Sequence, residues 1–176
     1  MENFKTLVQQ RRSHRKFSDR QVPGEDVQLI LRAALMAPTS MARRNWQFAV
    51  VDNKQDLEKL ADAKDTGAKF IKDAPLAIVV MCNPAENDCW VEDCSIAAIS
   101  MQYQAEDLGL GSCWVQMRGR GLSDGHTANE VIHGILGLPE KLEVLCVLAI
   151  GYPAEDRKPR EEGSLKWENV RIKSDD

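Results

Sequence analysis

Apolar residues recur along the chain in two rhythms, one helical and one extended. Phe4, Leu7 and Val8 share one face at helical spacing and predict a first helix running into Arg11 and Arg12. Val22-Pro23-Gly24 breaks the chain. Glu25 and Asp26 then put negative charge where a helix dipole favours it, and Val27, Ile30, Leu31, Ala34 and Leu35 mark the buried face of a second helix ended by Pro38. Gln47 to Val51 reads as a strand, followed by a short helix carrying Leu57 and Leu60. After Ala74-Pro75 comes LAIVVMC, apolar almost throughout and so expected to be covered on both faces.

The alanine-rich stretch from about Glu92 to Leu108 predicts a helix with Ile96, Ile99, Met101 and Leu108 as core candidates and Gly109 as its stop. Ser112 to Met117 is a third strand candidate. Thr127 and Glu130 form a capping box before a helix through Val131, Ile132, Ile135 and Leu136, which Gly137 and Pro139 close. LEVLCVLAIG supplies the last strand, ending at Gly151-Tyr152-Pro153, and a charged, sparsely apolar tail follows to Asp176. With no repeat, low-complexity tract or linker, residues 1–176 read as a single domain, and the alternation of helices and strands suggests an α/β layered architecture.

The chain is 43% hydrophobic and 28% charged, which suits a packed core and not a disordered segment. A net charge of -4 disfavours nucleic acid and leaves a small molecule as the default partner. The N-terminus lacks an apolar signal stretch, and no run approaches the roughly 20 apolar residues of a bilayer span. The expected address is the cytoplasm, with no membrane association. The five cysteines are then expected as reduced, mostly buried thiols. No metal site is expected: Cys89 and Cys94 form no C-x-x-C pair, and His126 and His133 are seven apart where a helical zinc pair wants about four.

Four clusters carry candidate chemistry. Arg11-Arg12-Ser13-His14-Arg15-Lys16-Phe17 gathers forked donors and a hydroxyl suited to phosphate, or else sets cations against a helix C-terminus. Ala37-Pro38-Thr39-Ser40-Met41-Ala42-Arg43-Arg44-Asn45-Trp46 offers backbone donors, hydroxyls and an arginine for the polar edge of a heterocycle, or is a turn with Trp46 in the core. Leu108-Gly109-Leu110-Gly111-Ser112-Cys113-Trp114 brings backbone close to a ligand, or is an ordinary helix cap. Gly151-Tyr152-Pro153 precedes Arg157, Lys158, Pro159 and Arg160, a phosphate clamp or a solvated face.

In this order, RRSHRKF, APTSMARRNWQF, LGLGSCW, LGLP and GYPAEDRKPR resemble the nitroreductase family over about Phe4 to Arg160. The resemblance implies an α+β fold, a central, mostly antiparallel sheet flanked by helices in an intertwined homodimer with FMN at each end of the interface. It implies that Arg11, Arg12, Ser13 and Arg15 hold the FMN phosphate and ribityl chain and that Lys158 and Arg160 close on the phosphate. Pro38, Thr39 and Ser40 of the other subunit would border the ring, with Cys113, Trp114 and Val115 against it. Electrons would pass from NADH or NADPH to a nitroaromatic, quinone or similar acceptor by a ping-pong mechanism on the flavin, with no catalytic side chain. Alternatives within reach of the same sequence are a flavin enzyme with a specific non-nitro substrate and a non-catalytic FMN-binding protein. The chain departs from the family pattern at one place: Ala42 and Arg44 stand where an asparagine and a glutamine are usual, and Asn45 replaces a proline. Arg44 is therefore expected either to take over the contacts to the flavin's pyrimidine edge or to point to solvent.

Overall fold

The protein, analysed as a computed structural model, is described over residues 3–173, so residues 174–176 of the expected tail lie outside the described residues. Two opening helices, α1 (Phe4–Gln10) and α2 (Gly24–Leu35), precede strand β1 (Trp46–Val51), helix α3 (Lys54–Ala61) and strand β2 (Leu76–Cys82). The long helix α4 (Trp90–Asp107), strand β3 (Gly111–Gln116), helix α5 (Ala128–Leu136) and strand β4 (Glu143–Gly151) complete the fold before an extended tail.

The strands form one sheet in the order β1-β2-β4-β3, antiparallel at every pairing. The alternation of helices and strands suggested a layered α/β domain. The observed connections instead make the antiparallel α+β sheet that the family resemblance implied. The β2 run is buried at all seven positions because it lies in the middle of the sheet with a helical layer on each face. On one face Ala77, Val79, Val147 and Ala149 meet α3 and α5 through Leu57, Leu60 and Ile132. On the other Ile78, Val80, Cys146 and Leu148 meet α2 and α4 through Ile30, Ala34, Ala98 and Met101. The period-two alternation of strand side chains is what divides the core in two.

Local signals act as expected at the helix ends. Thr127 accepts from the Glu130 N–H at 3.1 Å while Glu130 accepts from the Thr127 N–H at 2.8 Å. Gly137 closes α5 at φ 61°, a left-handed conformation that costs glycine little. The core of α4 differs from expectation. Ile96 is 38% exposed and Ile99 half-buried, whereas Cys94, Ala97, Ala98, Met101 and Ala105 face inward. Small side chains at most inward positions let this helix lie close on the sheet and on α2, and Ile96 turns outward while Trp90 and Met101 stay inside. Leu35, expected on the buried face of α2, is exposed too, as are Phe4 and Val8 of α1.

Two glycines test how tightly the layers fit. A Cβ on Gly151 would stand 2.5 Å from the Pro75 ring and 3.1 Å from Phe17, whereas a Cβ on Gly134, within α5, would meet nothing within 4 Å. Gly151→Ala is expected to destabilise by about 2 kcal/mol through overpacking, and Gly134→Ala to stabilise by about 0.5–1 kcal/mol by favouring the helix. Thermal denaturation of both variants checks this, and a Gly151→Ala protein as stable as wild type would show that the Pro75 contact yields.

Candidate functional site

The segment after α1 runs along the open ends of β3 and β4. The His14 N–H donates to Ser112 C=O at 3.0 Å, Ser18 N–H to Tyr152 C=O at 2.9 Å and Ala154 N–H to Lys16 C=O at 3.0 Å. Gly111 makes this possible, since a Cβ there would lie 2.8 Å from the His14 ring. The tail then returns across α1. Arg160 N–H donates to Gln9 C=O at 2.9 Å, the Gln9 side chain returns a bond to Arg160 C=O at 3.2 Å, and the Arg12 guanidinium donates to Lys158 C=O. Arg11, Arg12, Ser13, Lys158 and Arg160, remote in sequence, are thus neighbours. Arg12 secures the tail main chain, leaving Arg11, Lys158 and Arg160 as cations with no carboxylate partner among the described residues.

Cys113 lies behind this cluster, 1% exposed. Burial pushes its thiol up from the ordinary range, while Arg15, the Ser13 hydroxyl, Arg11 and Lys64 pull it down. Those opposing influences come from groups placed around it, and the net upward shift leaves a neutral thiol, not a nucleophile. His14 is likewise held neutral, its pKa lowered first by burial and then by Arg157, so it adds no charge to the cluster. Arg15 stacks over Phe70 at 5.7 Å.

Lys64 is a feature the sequence reading passed over. It follows α3, is 9% exposed and makes no hydrogen bond or ion pair among the described residues. Burial lowers its pKa, with Arg120 acting in the same sense and Cys113 opposing. A largely buried lysine with no partner, beside an arginine, is costly, and such groups cluster where a ligand supplies the missing partner. Nothing in its sequence context, Ala63-Lys64-Asp65, distinguishes it from a surface lysine; only the fold does.

The Pro38–Arg44 loop is a second, separate unit. Met41, Ala42 and Arg44 adopt φ of 51°, 54° and 50°, a left-handed region that non-glycine residues enter only when held there. Asp93 holds them: its buried carboxylate accepts from Ser40 N–H at 2.9 Å and from the Asn87 amide at 2.7 Å, and Asn87 also donates to Asn45 at 3.2 Å. Thr39 Oγ1 accepts from Arg44 N–H at 3.0 Å. Arg44 itself is exposed and borders a concavity of about 430 Å³ with Pro38 and Thr39.

Within one chain these two units sit towards opposite ends of α4. Asp93 anchors the loop; Gln102, nine residues on, donates to Ser112 at 3.2 Å beside Ser13. That separation is roughly 14 Å along the helix axis. The structure therefore gathers Arg11, Arg12, Ser13, Arg15, Cys113, Lys158 and Arg160, and leaves Pro38, Thr39, Ser40 and Arg44 elsewhere. Strand alternation also divides the β3 trio. Trp114 packs on the α4 side and donates to Gln116 at 2.9 Å, whereas Val115 is buried in the α3–α5 side of the core.

The family model for the nitroreductase family matches residues 8–66 and 62–152. A Methanothermobacter thermautotrophicus protein described as a candidate NADH dehydrogenase/NAD(P)H nitroreductase is 38% identical over 157 residues, 88% of this chain and 79% of its own. An Archaeoglobus fulgidus protein of the same description is 34% identical, over 89% of each chain. The solved structure of an FMN-dependent nitroreductase from Clostridium difficile R20291 superposes with a TM-score of 0.93 at 42% identity, covering 96% of this chain and 98% of that one. Motif order, sheet and relatives agree, and the chain belongs to the nitroreductase family of oxidoreductases.

Proposed function

We propose that the protein binds FMN and passes electrons from NADH or NADPH to a small organic acceptor, a nitroaromatic or a quinone, as a homodimer and by a ping-pong mechanism. The observation that carries the reading is the meeting of the two chain ends: the Lys158–Arg160 main chain lies against Gln9 and Arg12, while Arg11, Ser13, Arg15 and Lys64 act on Cys113. A phosphate monoester carries about -1.5 to -2 charges at neutral pH, and forked guanidiniums and a hydroxyl match its oxygens. The donor set fits FMN.

When bound, FMN supplies the redox chemistry, taking hydride from the nicotinamide and returning electrons to the acceptor. The chain's residues bind and tune. Arg11, Ser13, Lys158 and Arg160 hold the phosphate, and Arg15 follows towards the ribityl chain. The main chain of Cys113 to Val115 borders the ring, while the Trp114 and Val115 side chains pack the strand from its two faces. Lys64 meets the pyrimidine edge, where its charge favours the negative charge that reduction brings. Pro38, Thr39, Ser40 and Arg44 reach the ring from the partner subunit. Two supports favour this assembly: the separation of loop and cluster along α4, and the exposed apolar residues Phe4, Val8, Leu35, Ile96 and Trp167, which a second copy would cover.

Arg11→Glu and Arg160→Glu are expected to weaken FMN at least about tenfold, as loss of a charge-assisted bond does, and to leave riboflavin binding nearly unchanged. Fluorescence titrations with the two flavins check this, and equal losses would place neither residue at the phosphate. Lys64→Gln should lower the flavin potential by tens of millivolts, about 30 mV per 1.4 kcal/mol for a two-electron couple. Arg44→Gln, at an exposed position, should lower it less. A dye-coupled redox titration decides, and a larger shift for Arg44 would make that residue the principal cation at the ring. Unfolding midpoints should rise with protein concentration, as for a folded state that requires its partner. A folded monomer in sedimentation that keeps full FMN affinity would refute the dimeric site.

A further inference from the structure

Between β3 and α5 the chain builds a cavity of about 600 Å³ that neither the phosphate cluster nor the Pro38–Arg44 loop uses. Its wall is the connection Met117–Thr127, and that connection is rigid. Met117 and Arg118 N–H groups both donate to Leu145 C=O, at 3.2 and 3.0 Å, and Arg120 N–H closes a tight turn onto Met117 C=O at 2.9 Å. Gly119 occupies the left-handed position of that turn at φ 69°. Leu122 N–H donates to His126 C=O at 2.8 Å and Ala128 N–H to Arg120 C=O at 2.8 Å. Gly121 is required at the crossing, since a Cβ there would stand 2.3 Å from the His126 carbonyl oxygen.

Two arginines line this cavity, and neither has an acidic partner among the described residues. Arg118 lies over the Trp90 ring at 5.6 Å, an arrangement that orients its guanidinium without neutralising it. Arg120 makes no side-chain hydrogen bond or ion pair and acts on the ammonium of Lys64. Of the two carboxylates on the wall, Glu130 is occupied by the Thr127 cap, which leaves Glu143 at the start of β4. The cavity wall is tied to the segment that carries Lys64: Asp65, next to Lys64, donates its N–H to Gly121 C=O at 3.3 Å. Arg11, Arg15 and Lys64 act on Cys113 and Arg120 acts on Lys64, so positive charge extends from that cluster to this cavity, which Arg118 also lines. The cluster serves the cofactor in the function proposed above; Arg118 and Arg120 have no role there.

We propose that Arg118 and Arg120 form a subsite for the pyrophosphate of the nicotinamide dinucleotide, which seats the donor while its nicotinamide reaches past Lys64 to the flavin. A cavity of this volume falls within the usual range for small-molecule sites, and two guanidiniums on a rigid turn suit a dianionic group better than a neutral one. The subsite rests on the FMN reading but is separable from it. The acceptor, which carries no pyrophosphate, does not need these arginines.

The test uses ADP-ribose, which bears the pyrophosphate but cannot reduce a flavin, together with anaerobic reduction of the FMN-loaded protein. Calorimetry should detect ADP-ribose binding to wild type, weakened about tenfold in Arg118→Ala and in Arg120→Ala, with FMN affinity within about twofold of wild type. NADH should reduce either variant with a Kd raised about tenfold, whereas 1-benzyl-1,4-dihydronicotinamide, a donor without phosphates, should react at the wild-type rate. Equal losses with NADH and the benzyl donor, unchanged ADP-ribose affinity, or a defect confined to carboxylate-bearing acceptors would each overturn the subsite. Failure of the protein to take up FMN at all would instead sink the function proposed above, while ADP-ribose binding would still report on the two arginines.

Discussion

The site depends on one short run of main-chain pairing, in which the Ser13–Ser18 segment is bound to the ends of β3 and β4. Three backbone hydrogen bonds fix it, from His14, Ser18 and Ala154, and two glycines make room for it. At Gly111 the His14 ring, and at Gly151 the Phe17 ring, take the space that a side chain would fill. Without that approach Arg11 and Ser13 would have no fixed relation to Cys113, and the tail would have no track to follow back to Gln9. Each bond is worth about 1 kcal/mol net, yet together they position charges from both ends of the chain to within the tolerance that ligand recognition needs.

Charge is distributed in keeping with that role. The chain is acidic overall, with a net charge of -4. Some of its exposed cations pair locally, as Lys16 with Glu155 at 3.1 Å and Lys59 with Asp56 at 3.0 Å, and such surface pairs contribute little to stability. Arg11, Lys64, Arg120 and Arg160 have no such partner among the described residues; Arg11 and Lys64 act on Cys113, and Arg120 acts on Lys64. Lys64 is the most telling of them, because taking a lysine largely out of solvent without a partner opposes folding. A fold with two well-packed helical layers tolerates that cost at one position, and the position lies beside Cys113 and Arg120.

How much of this was legible in the sequence differs by kind of feature. Local signals were fully legible: the Thr127–Glu130 capping box, the Gly109 and Gly137 helix stops and the unbroken apolar run of β2 all appear where their chemistry predicts. The motif order identified the family and hence the antiparallel sheet, which periodicity alone had suggested as a layered α/β arrangement. Burial on α4 was not legible, because hydrophobicity ranks Ile96 above Ala97 although close helix–sheet packing selects the smaller residue for the inside. Lys64 and Arg120 were not legible either. Their importance comes from which neighbours the α3–β2 and β3–α5 connections bring to them, and no spacing rule within either segment encodes that.

The outward-facing apolar residues carry the synthesis one step further. Ile96 lies on the outer side of α4, and Phe4 packs edge-on against Tyr103 of the same helix at 5.4 Å while remaining 65% exposed. α4 thus carries small residues at several sheet-facing positions beside Met101, and large apolar or aromatic residues on its outer side as well, where an ordinary surface helix is polar. The same helix separates the strained Pro38–Arg44 loop, anchored by Asp93, from the cation cluster beside Ser112. If two copies pair along their α4 helices in antiparallel fashion, the outer apolar face is covered and the loop of each copy approaches the cation cluster of the other. In the dimer proposed above, one helix would account for both the exposed hydrophobic surface and the split site, and the strain at Met41, Ala42 and Arg44 would lie in the subunit that supplies the loop while its benefit would fall at the other subunit's cofactor.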